Sequence, residues 1–191
     1  FPSLYKNYKL GYTKSQEKCF FFGTYFFKTK NHEKINLVKC MIYKKRLIEL
    51  RESKELKQYD IANILNIYKG LYNQYETEYE IIPIKHLNTF STYFHVSFDY
   101  LFNLTDQLNY KNSQEQIDGI KVGNRLKEFR KEHKLTQEKL ASILNMARSA
   151  LANYERGRNI IATPFLYTIC EKYNISADYL LGKIDEKINL K

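Results

Sequence analysis

The sequence of 191 residues has no long apolar run and few turn-forming residues. Its most apolar stretch, residues 19–27 (CFFFGTYFF), is far shorter than the roughly 20 residues that a membrane helix needs, and Lys28 follows it directly. No small-residue cleavage site comes after it, which argues against a secretory signal. Three prolines and seven glycines are too few for a turn-rich all-β protein. We therefore expect a helical chain without a membrane segment.

Residues with metal-binding or redox chemistry are scarce. Cys19, Cys40 and Cys170 lie far apart, so neither a disulfide framework nor a CxxC pair is available, and we expect reduced thiols in a cytoplasmic protein. The four histidines have no metal-ligand spacing (His32, His86, His95 and His133). No glycine-rich loop is present to hold a phosphate. The sequence thus predicts a protein that binds no metal and no cofactor and that is not an enzyme.

The chain repeats itself at an offset of 79 residues. Residues 46–106 align with residues 125–185 without a gap, and the matches include Leu65-Asn66 with Leu144-Asn145 and Asp99-Tyr100-Leu101 with Asp178-Tyr179-Leu180. Chance does not produce such a match, so we infer two copies of one module. The predicted organisation is a leader over 1–40, a first copy over 41–106, a linker over 107–120, a second copy over 121–185 and a tail over 186–191.

The net charge of +10 is distributed unevenly over these parts. Residues 123–185 carry 11 Lys/Arg against 7 Asp/Glu, whereas residues 44–106 carry 8 against 9. The second copy is therefore the electrostatic candidate to bind a polyanion. Residues 1–43 add a further +6.

The second copy has the pattern of five helices. The amphipathic segment NRLKEFRKEH predicts the first helix. Thr136 is a predicted N-cap for the second helix, which we expect to end at Asn145 because asparagine tolerates the left-handed conformation. The segment RSALANYER follows after only two residues and predicts a third helix, and a fourth covers PFLYTICEKY. A short fifth helix is expected between Ser176 as N-cap and Gly182 as the residue after its end.

Two helices separated by so tight a turn form a helix-turn-helix, whose second helix can enter the major groove of DNA. Residues 123–185, with LTQEKLASILNMARSALANYERGRN followed by ISADYLLG, resemble the DNA-binding domain of phage repressors and Cro proteins, the XRE family. The first copy resembles the same family with its DNA-facing positions altered. The resemblance implies an all-α fold of two tandem five-helix lambda-repressor-like helix-turn-helix domains.

The resemblance also implies which residues contact DNA. In the family, the start of the second helix and the loop after the third hold phosphates, while the outward face of the third reads bases. Carried over by position, the DNA-binding residues of the second copy are Gln137, Arg148, Ser149, Ala152, Asn153, Arg156 and Arg158. Arg148 is suited to guanine and Asn153 to adenine. The alternative is that these are solvated side chains on a small helical domain.

Some residues of the motif are assigned to structure instead. The resemblance implies ion pairs beneath the third helix of each copy, Arg130 with Glu155 and Arg51 with Glu76. Asp99 and Asp178 are interpreted as acids in the first turn of a helix. Ala147 departs from the family pattern, in which Ser or Thr caps the third helix, and losing such a cap costs about 1 kcal/mol.

The first copy has an altered DNA-facing surface. Its weaker candidate DNA-binding residues are Gln58, Lys69, Gly70, Asn73 and Gln74. A glycine inside a short helix costs about 1 kcal/mol. The loop over 77–80 reads Thr77, Glu78, Tyr79 and Glu80 where the second copy has Arg156, Gly157, Arg158 and Asn159, and its two carboxylates would repel phosphates. Two interpretations stay open: this copy binds DNA weakly, or it is a pairing surface.

Residues 1–40 fit neither copy. We expect translation to begin at Met41, with the preceding residues untranslated or disordered, and the alternative is a basic arm that lies on DNA. The polar linker is expected to be flexible and long enough for the copies to sit apart. The bias towards Lys, Asn, Ile, Tyr and Phe predicts an AT-rich bacterial or phage genome.

The function that these features predict is a sequence-specific transcriptional regulator, a repressor, that acts in the cytoplasm and binds double-stranded DNA. The resemblance implies dimeric binding, through a homodimer or through intramolecular pairing of the two copies. The alternative is a protein-interaction regulator such as an antitoxin or anti-repressor, with the first copy as the partner-binding or dimerisation module. The acidic loop and four aromatic residues favour this alternative (Tyr68, Tyr72, Tyr75 and Tyr79).

Overall fold

The computed structural model describes residues 42–190, and the predictions about residues 1–40 and Met41 lie outside this range. The described part of the chain is all-helical apart from one isolated bridge between Ile175 and Asn189. Its helices are α1 Ile42–Ser53, α2 Gln58–Ile64, α3 Lys69–Glu76, α4 Ile84–Phe94, α5 Phe98–Leu101, α6 Gly119–Glu132, α7 Gln137–Ile143, α8 Arg148–Glu155, α9 Thr163–Tyr173 and α10 Ala177–Leu180.

Helices α7 to α10 repeat helices α2 to α5, with every boundary displaced by 79 residues. The same local signals set these boundaries in both halves. Ser97 and Ser176 each accept a hydrogen bond from the amide three residues on and cap α5 and α10. Asn66 and Asn145 adopt positive φ angles of 54° and 51° after α2 and α7. The repeat in the sequence therefore corresponds to a repeat of helices in the structure.

Helix α6 begins earlier than the repeat requires. Its first residue is Gly119, whereas the predicted boundary of the second copy is residue 121. The side chain of Asp118 accepts a hydrogen bond from the amide of Ile120, which caps the helix at this earlier position.

The core is one connected cluster of buried side chains to which both halves contribute. Leu47 and Ile61 lie in it from the first half, and Phe129 and Leu151 from the second. The rings of Phe102 and Tyr167, one from each half, meet edge to face at 5.6 Å. The two halves thus share apolar surface rather than lying apart.

The linker differs from the expectation of a flexible, extended tether. The Ser97 amide donates to the Leu108 carbonyl at 2.6 Å, and the Gln114 amide donates to the Lys183 carbonyl at 2.7 Å. The ring of Tyr110 is buried in the same region. The linker backbone is hydrogen-bonded to both halves. The halves are therefore not free to separate, although the linker has a polar composition.

The two halves also meet through α5 and α10. Asp99 and Asp178, at equivalent positions of the repeat, are both fully buried there. Asp99 accepts hydrogen bonds from the Ala177 amide and the Ser176 hydroxyl, and the Asp99 amide donates to Asp178 Oδ2 at 2.9 Å. Each aspartate does lie in the first turn of its helix, as predicted, but its carboxylate bonds to the other half. This contact was missed by the interpretation of both residues as simple first-turn acids.

Candidate nucleic-acid interface

Helices α7 and α8 form a tight helix-turn-helix. Thr136 caps α7 by accepting a hydrogen bond from the Lys139 amide at 3.1 Å, as predicted. The left-handed Asn145 reverses the chain, and Ala141, which is 3% exposed, allows the two helices to approach. Leu151 is fully buried and anchors α8 to the core. These contacts fix the direction of α8 and leave its other face towards solvent.

An ion pair holds the end of α8 on α6. The Nε and Nη2 atoms of Arg130 donate to the two carboxylate oxygens of Glu155 at 2.5 and 3.0 Å, and Gln137 Nε2 donates to the same carboxylate at 2.8 Å. Burial alone would raise the pKa of Glu155, but the hydrogen bonds from Arg130 and Gln137 outweigh it and hold this pKa below its ordinary value. The carboxylate is therefore charged and fully engaged under α8.

A close backbone approach between α6 and the end of α8 adds to this anchor. A Cβ atom at Gly123 would lie 2.6 Å from the Tyr154 carbonyl oxygen and 2.8 Å from the Gly157 nitrogen. Gly157 itself has a φ of 68°, which favours glycine. Sequence reasoning missed Gly123, although an isolated glycine in a helical pattern is a known signal of close packing.

Replacing Gly123 by alanine is therefore expected to lower the free energy of unfolding by about 1–3 kcal/mol, because the new methyl group would meet backbone atoms that cannot rotate away. Chemical denaturation measures the loss. Gly70→Ala is the matched control. Its methyl group would meet only the side chain of Tyr68, so stability is expected to stay unchanged or rise by up to about 1 kcal/mol. Equal losses in both variants would contradict the close approach.

The predicted base-reading residues share one face of α8. Arg148, Ser149, Ala152 and Asn153 follow the spacing that groups side chains on one side of a helix. Arg148 and Ser149 are exposed, while Ala152 and Asn153 are half-buried. Arg156 and Arg158, in the loop after α8, are exposed as well. The structure thus presents one arginine at the start of α8 and two beyond its end.

Two of these side chains already have partners in the protein. Arg148 Nε lies 2.8 Å from Glu138 Oε1, with both side chains about two thirds exposed. An exposed ion pair of this kind contributes only about 0–1 kcal/mol, so Arg148 can exchange Glu138 for another partner. Gln137 uses one N–H for Glu155, and its amide group has a second N–H to offer.

Helix α8 begins without a side-chain cap. Ala147 stands at its N-cap position and makes no capping hydrogen bond, because alanine has no acceptor in its side chain. Tyr68 occupies the equivalent N-cap position before α3, and its side chain makes no capping hydrogen bond either. Helix α8 is therefore held in place by the packing of Leu151 and by the ion pair at its end, and not by a cap at its start.

The first copy has the same anchoring network as the second. Arg51 Nε donates to Glu76 Oε1 at 2.7 Å, and Gln58 Nε2 donates to Glu76 Oε2 at 2.7 Å. The amide of Gln58 also reaches Asn73 Oδ1 at 3.2 Å. The weaker candidates on α3 remain accessible: Lys69, Gly70 and Asn73 are exposed, and Gln74 is half-buried.

The loop after α3 is less repulsive to anions than its sequence indicates. Glu78 lies 3.6 Å from Lys44, and its side chain is only 16% exposed. Lys44 and Glu78 occupy the positions that Gly123 and Gly157 have in the second copy. An ion pair here thus stands where the second copy has its close backbone approach.

The prediction of a four-tyrosine partner surface is wrong for two of its members. Tyr72 and Tyr75 are 0% and 2% exposed and belong to the core. The Tyr75 hydroxyl lies 3.0 Å from His86 Nδ1. Tyr68 and Tyr79, in contrast, are 60% and 57% exposed. The bounds of α3 explain the division, because Tyr72 and Tyr75 lie within the helix and face the core, whereas Tyr68 and Tyr79 lie outside its two ends.

Within residues 42–190, no group of three or more His, Cys, Asp or Glu side chains could hold a metal ion. None of the helices in this range is long and apolar enough to cross a membrane. The thiol of Cys170 is buried, and this burial raises its pKa well above the ordinary value.

Comparison with known proteins agrees with the geometry of α7 and α8. Residues 123–186 match a family model described as a helix-turn-helix domain. The fold and this match together define residues 123–186 as a helix-turn-helix domain. The match covers the second copy alone.

Three relatives share part of this chain. Antitoxin PezA of Streptococcus pneumoniae is 35% identical over 68 residues, which are 36% of this chain and 42% of that protein. The HTH-type transcriptional regulator ImmR of Bacillus subtilis is 42% identical over 64 residues, 34% of this chain and 50% of that protein. The uncharacterized HTH-type transcriptional regulator YobD of Bacillus subtilis is 37% identical over 62 residues, 32% and 55% of the two chains. The chain thus spans about half the length of the curated relatives it matches.

Proposed function

We propose that this protein is a sequence-specific DNA-binding transcriptional regulator, and not an enzyme, that represses by occupying its operator. The observation that carries the proposal is the outward face of α8, which starts at Arg148 and is held from beneath by the Arg130–Glu155–Gln137 network. Two of the relatives are named as transcriptional regulators with the same kind of domain.

In the proposed complex, α8 lies in the major groove. Arg148 leaves Glu138 and bonds to the O6 and N7 atoms of a guanine, and Asn153 meets the edge of an adenine. Ser149 and Ala152 lie on the same face, and Ala152 is suited to apolar contact with a thymine methyl group. These base contacts determine which DNA sequence the protein prefers.

Phosphate contacts set the position of the domain on DNA without choosing a sequence. Gln137 contributes its second amide N–H at the start of α7, and Arg156 and Arg158 contribute positive charge after α8. The excess of positive charge over residues 123–185 favours the same partner. Binding is therefore expected to weaken steeply as the salt concentration rises.

Arg148→Ala is expected to lower the affinity for the operator by roughly 5- to 150-fold, because one good bidentate contact to guanine is worth about 1–3 kcal/mol. Fluorescence anisotropy of the full chain with labelled duplexes from upstream of its own gene, at two salt concentrations, measures this. Random duplexes are expected to lose far less affinity in the same variant.

The control variant is Lys172→Ala, which removes an exposed positive charge from α9, outside the proposed interface. It is expected to bind the operator like the wild type. If the wild type binds operator and random DNA equally, or if Arg148→Ala changes nothing, this function is contradicted.

We further propose that residues 42–106 are a degenerate copy of the same helix-turn-helix domain. The α2–α3 pair repeats the α7–α8 pair at an offset of 79 residues, and the Arg51–Glu76–Gln58 network repeats its counterpart. This supports a tandem arrangement of two related domains.

A second candidate function is that of a regulator whose first copy binds a protein partner. The relative named as an antitoxin and the exposed rings of Tyr68 and Tyr79 favour it. A pull-down with nuclease-treated lysate tests it. A partner that is retained without DNA, and lost when both tyrosines are replaced by serine, is the expected result. A partner recovered only with DNA contradicts it.

A further inference from the structure

The contact between α5 and α10 is reciprocal. Asp99 Oδ1 accepts a hydrogen bond from the Ala177 amide at 2.6 Å, and Asp178 Oδ2 accepts one from the Asp99 amide at 2.9 Å. Asp99 and Asp178 are equivalent positions of the repeat, and α5 and α10 are equivalent helices. An interface in which residue i meets residue j and j meets i is the signature of two-fold symmetry. The two halves are therefore related here by an approximate two-fold axis within one chain.

Buried polar bonds fix this arrangement. The Ser176 and Tyr110 hydroxyls both donate to Asp99 Oδ2, at 2.5 and 2.8 Å. Lys183, in the second half, donates a hydrogen bond from its ammonium group to Asn88 Oδ1 in the first half, at 2.8 Å. Leaving any of these groups unpaired in the interior is costly, so the halves do not separate freely. One chain thus has the internal symmetry that helix-turn-helix proteins usually obtain by dimerising.

We propose that a single chain covers both halves of a two-part DNA site, with α8 reading one half and α3 reading the other. This inference rests on the function proposed above. Two-fold related helix-turn-helix units place their reading helices on half-sites about 34–36 Å apart, one turn of the duplex. Helix α3 is the equivalent of α8 and is held by the same kind of network.

The two halves of the DNA site differ in sequence, because α3 and α8 present different side chains. The pairs of equivalent residues are Lys69 and Arg148, Gly70 and Ser149, Asn73 and Ala152, and Gln74 and Asn153. Asn73 is already oriented by its hydrogen bond from Gln58, and asparagine is suited to adenine. The operator is therefore not a palindrome.

The half read by α3 is the weaker one. Residues 44–106 have a net charge of −1, against +4 for residues 123–185. The ion pair of Glu78 with Lys44 reduces the repulsion of phosphates, and the exposed Tyr79, which replaces Arg158, has a hydroxyl that can donate to a phosphate. Affinity comes mainly from the second copy, and α3 adds length and selectivity to the site.

The experiment selects duplexes bound by the full chain from a random pool and then measures stoichiometry on the selected duplex by native mass spectrometry. The expected result is two different half-motifs one turn apart, bound by one chain. Asn73→Ala is expected to weaken binding to the complete site by roughly 5- to 150-fold and to erase the base preference in one half only. The control Asn63→Ala, on an exposed residue of α2, is expected to bind like the wild type.

Two outcomes overturn the inference, and they can be told apart. A single half-motif or a palindrome bound by two chains, with Asn73→Ala silent and Arg148→Ala strongly impaired, removes the role of α3 and leaves the function proposed for α8 intact. With that outcome, the exposed face of α3 would be available to bind a protein partner instead. A pool that shows no sequence preference for the wild type removes the proposed function and this inference with it.

Discussion

Replacing Glu155 by alanine is expected to lower the free energy of unfolding by about 3–5 kcal/mol, because it removes one partner of a buried ion pair. The guanidinium of Arg130 and the amide of Gln137 would both lose their carboxylate, and the side chain of Arg130 is only 12% exposed. Urea denaturation followed by circular dichroism measures the loss.

The matched control is Glu138→Ala, which breaks the exposed pair with Arg148. Its effect on stability is expected to stay within about 0.5 kcal/mol. A loss below about 1 kcal/mol for Glu155→Ala would contradict the assignment of this pair as the anchor of α8. Because Glu155 acts on α8 from beneath, a loss of DNA binding in this variant would report on folding rather than on contact.

The second large effect concerns pH and the pair of buried aspartates. Burial and the nearby Asp99 carboxylate raise the pKa of Asp178 from 3.8 to about 7. Burial raises the pKa of Asp99 as well, but hydrogen bonds from Ser176, Tyr110 and Ala177 oppose that rise, so Asp99 is the better placed of the two to carry the charge. The pair therefore keeps one proton, on Asp178, up to near neutral pH.

The folded protein thus holds a proton that the unfolded chain releases near pH 4. The resulting stabilisation is fully present below pH 3.8 and is lost as pH rises through about 7. Asp178→Asn mimics the neutral carboxyl group and is expected to remove this loss, which is on the order of 4 kcal/mol in full and about 3 kcal/mol between pH 5 and pH 8. The measurement is the free energy of unfolding of both proteins from pH 5 to pH 8.

The difference between the two proteins is the quantity to examine, because His86 acts in the opposite direction. Burial lowers the pKa of His86, so its contribution is lost as pH falls, and it is the same in both proteins. Asp185→Asn is the control. The hydrogen bond from Lys121 lowers the pKa of this exposed carboxylate, so the control should follow the wild type from pH 5 to pH 8. A difference that does not change with pH would contradict the shared proton.

Local signals in the sequence predicted the helices of the second copy well. The Thr136 cap, the left-handed Asn145 and the Ser176 cap are features of single segments, and each is confirmed. Their physical cause lies within a few residues of the chain, so no knowledge of the tertiary fold is needed to find them.

Contacts between distant segments were not predictable in the same way. Asp99 and Asp178 have the pattern of first-turn acids, and nothing near them in sequence reveals that each meets the other half. The polar linker has the composition of a flexible segment, yet its backbone bonds to both halves. Gly123 and Gly157 stand where the first copy has Lys44 and Glu78, and these differences were the available sign that the two copies pack differently.

The candidate DNA-binding residues came from a resemblance, and the structure adds their environment. It puts Arg148 beside Glu138, ties Gln137 to Glu155 and orients Asn73 through Gln58. Each of these contacts depends on side chains that are brought together by folding. Periodicity alone could group the residues on a face, but it could not show which of them are already paired.

The most direct test of the central proposal, that α8 reads bases, is the base preference of the full chain at each position of its selected site, determined for the wild type and for Arg148→Ala. The account predicts that the variant loses the preference for one guanine and keeps the preferences at other positions. An unchanged pattern in the variant, or a wild type without any preference, would contradict it.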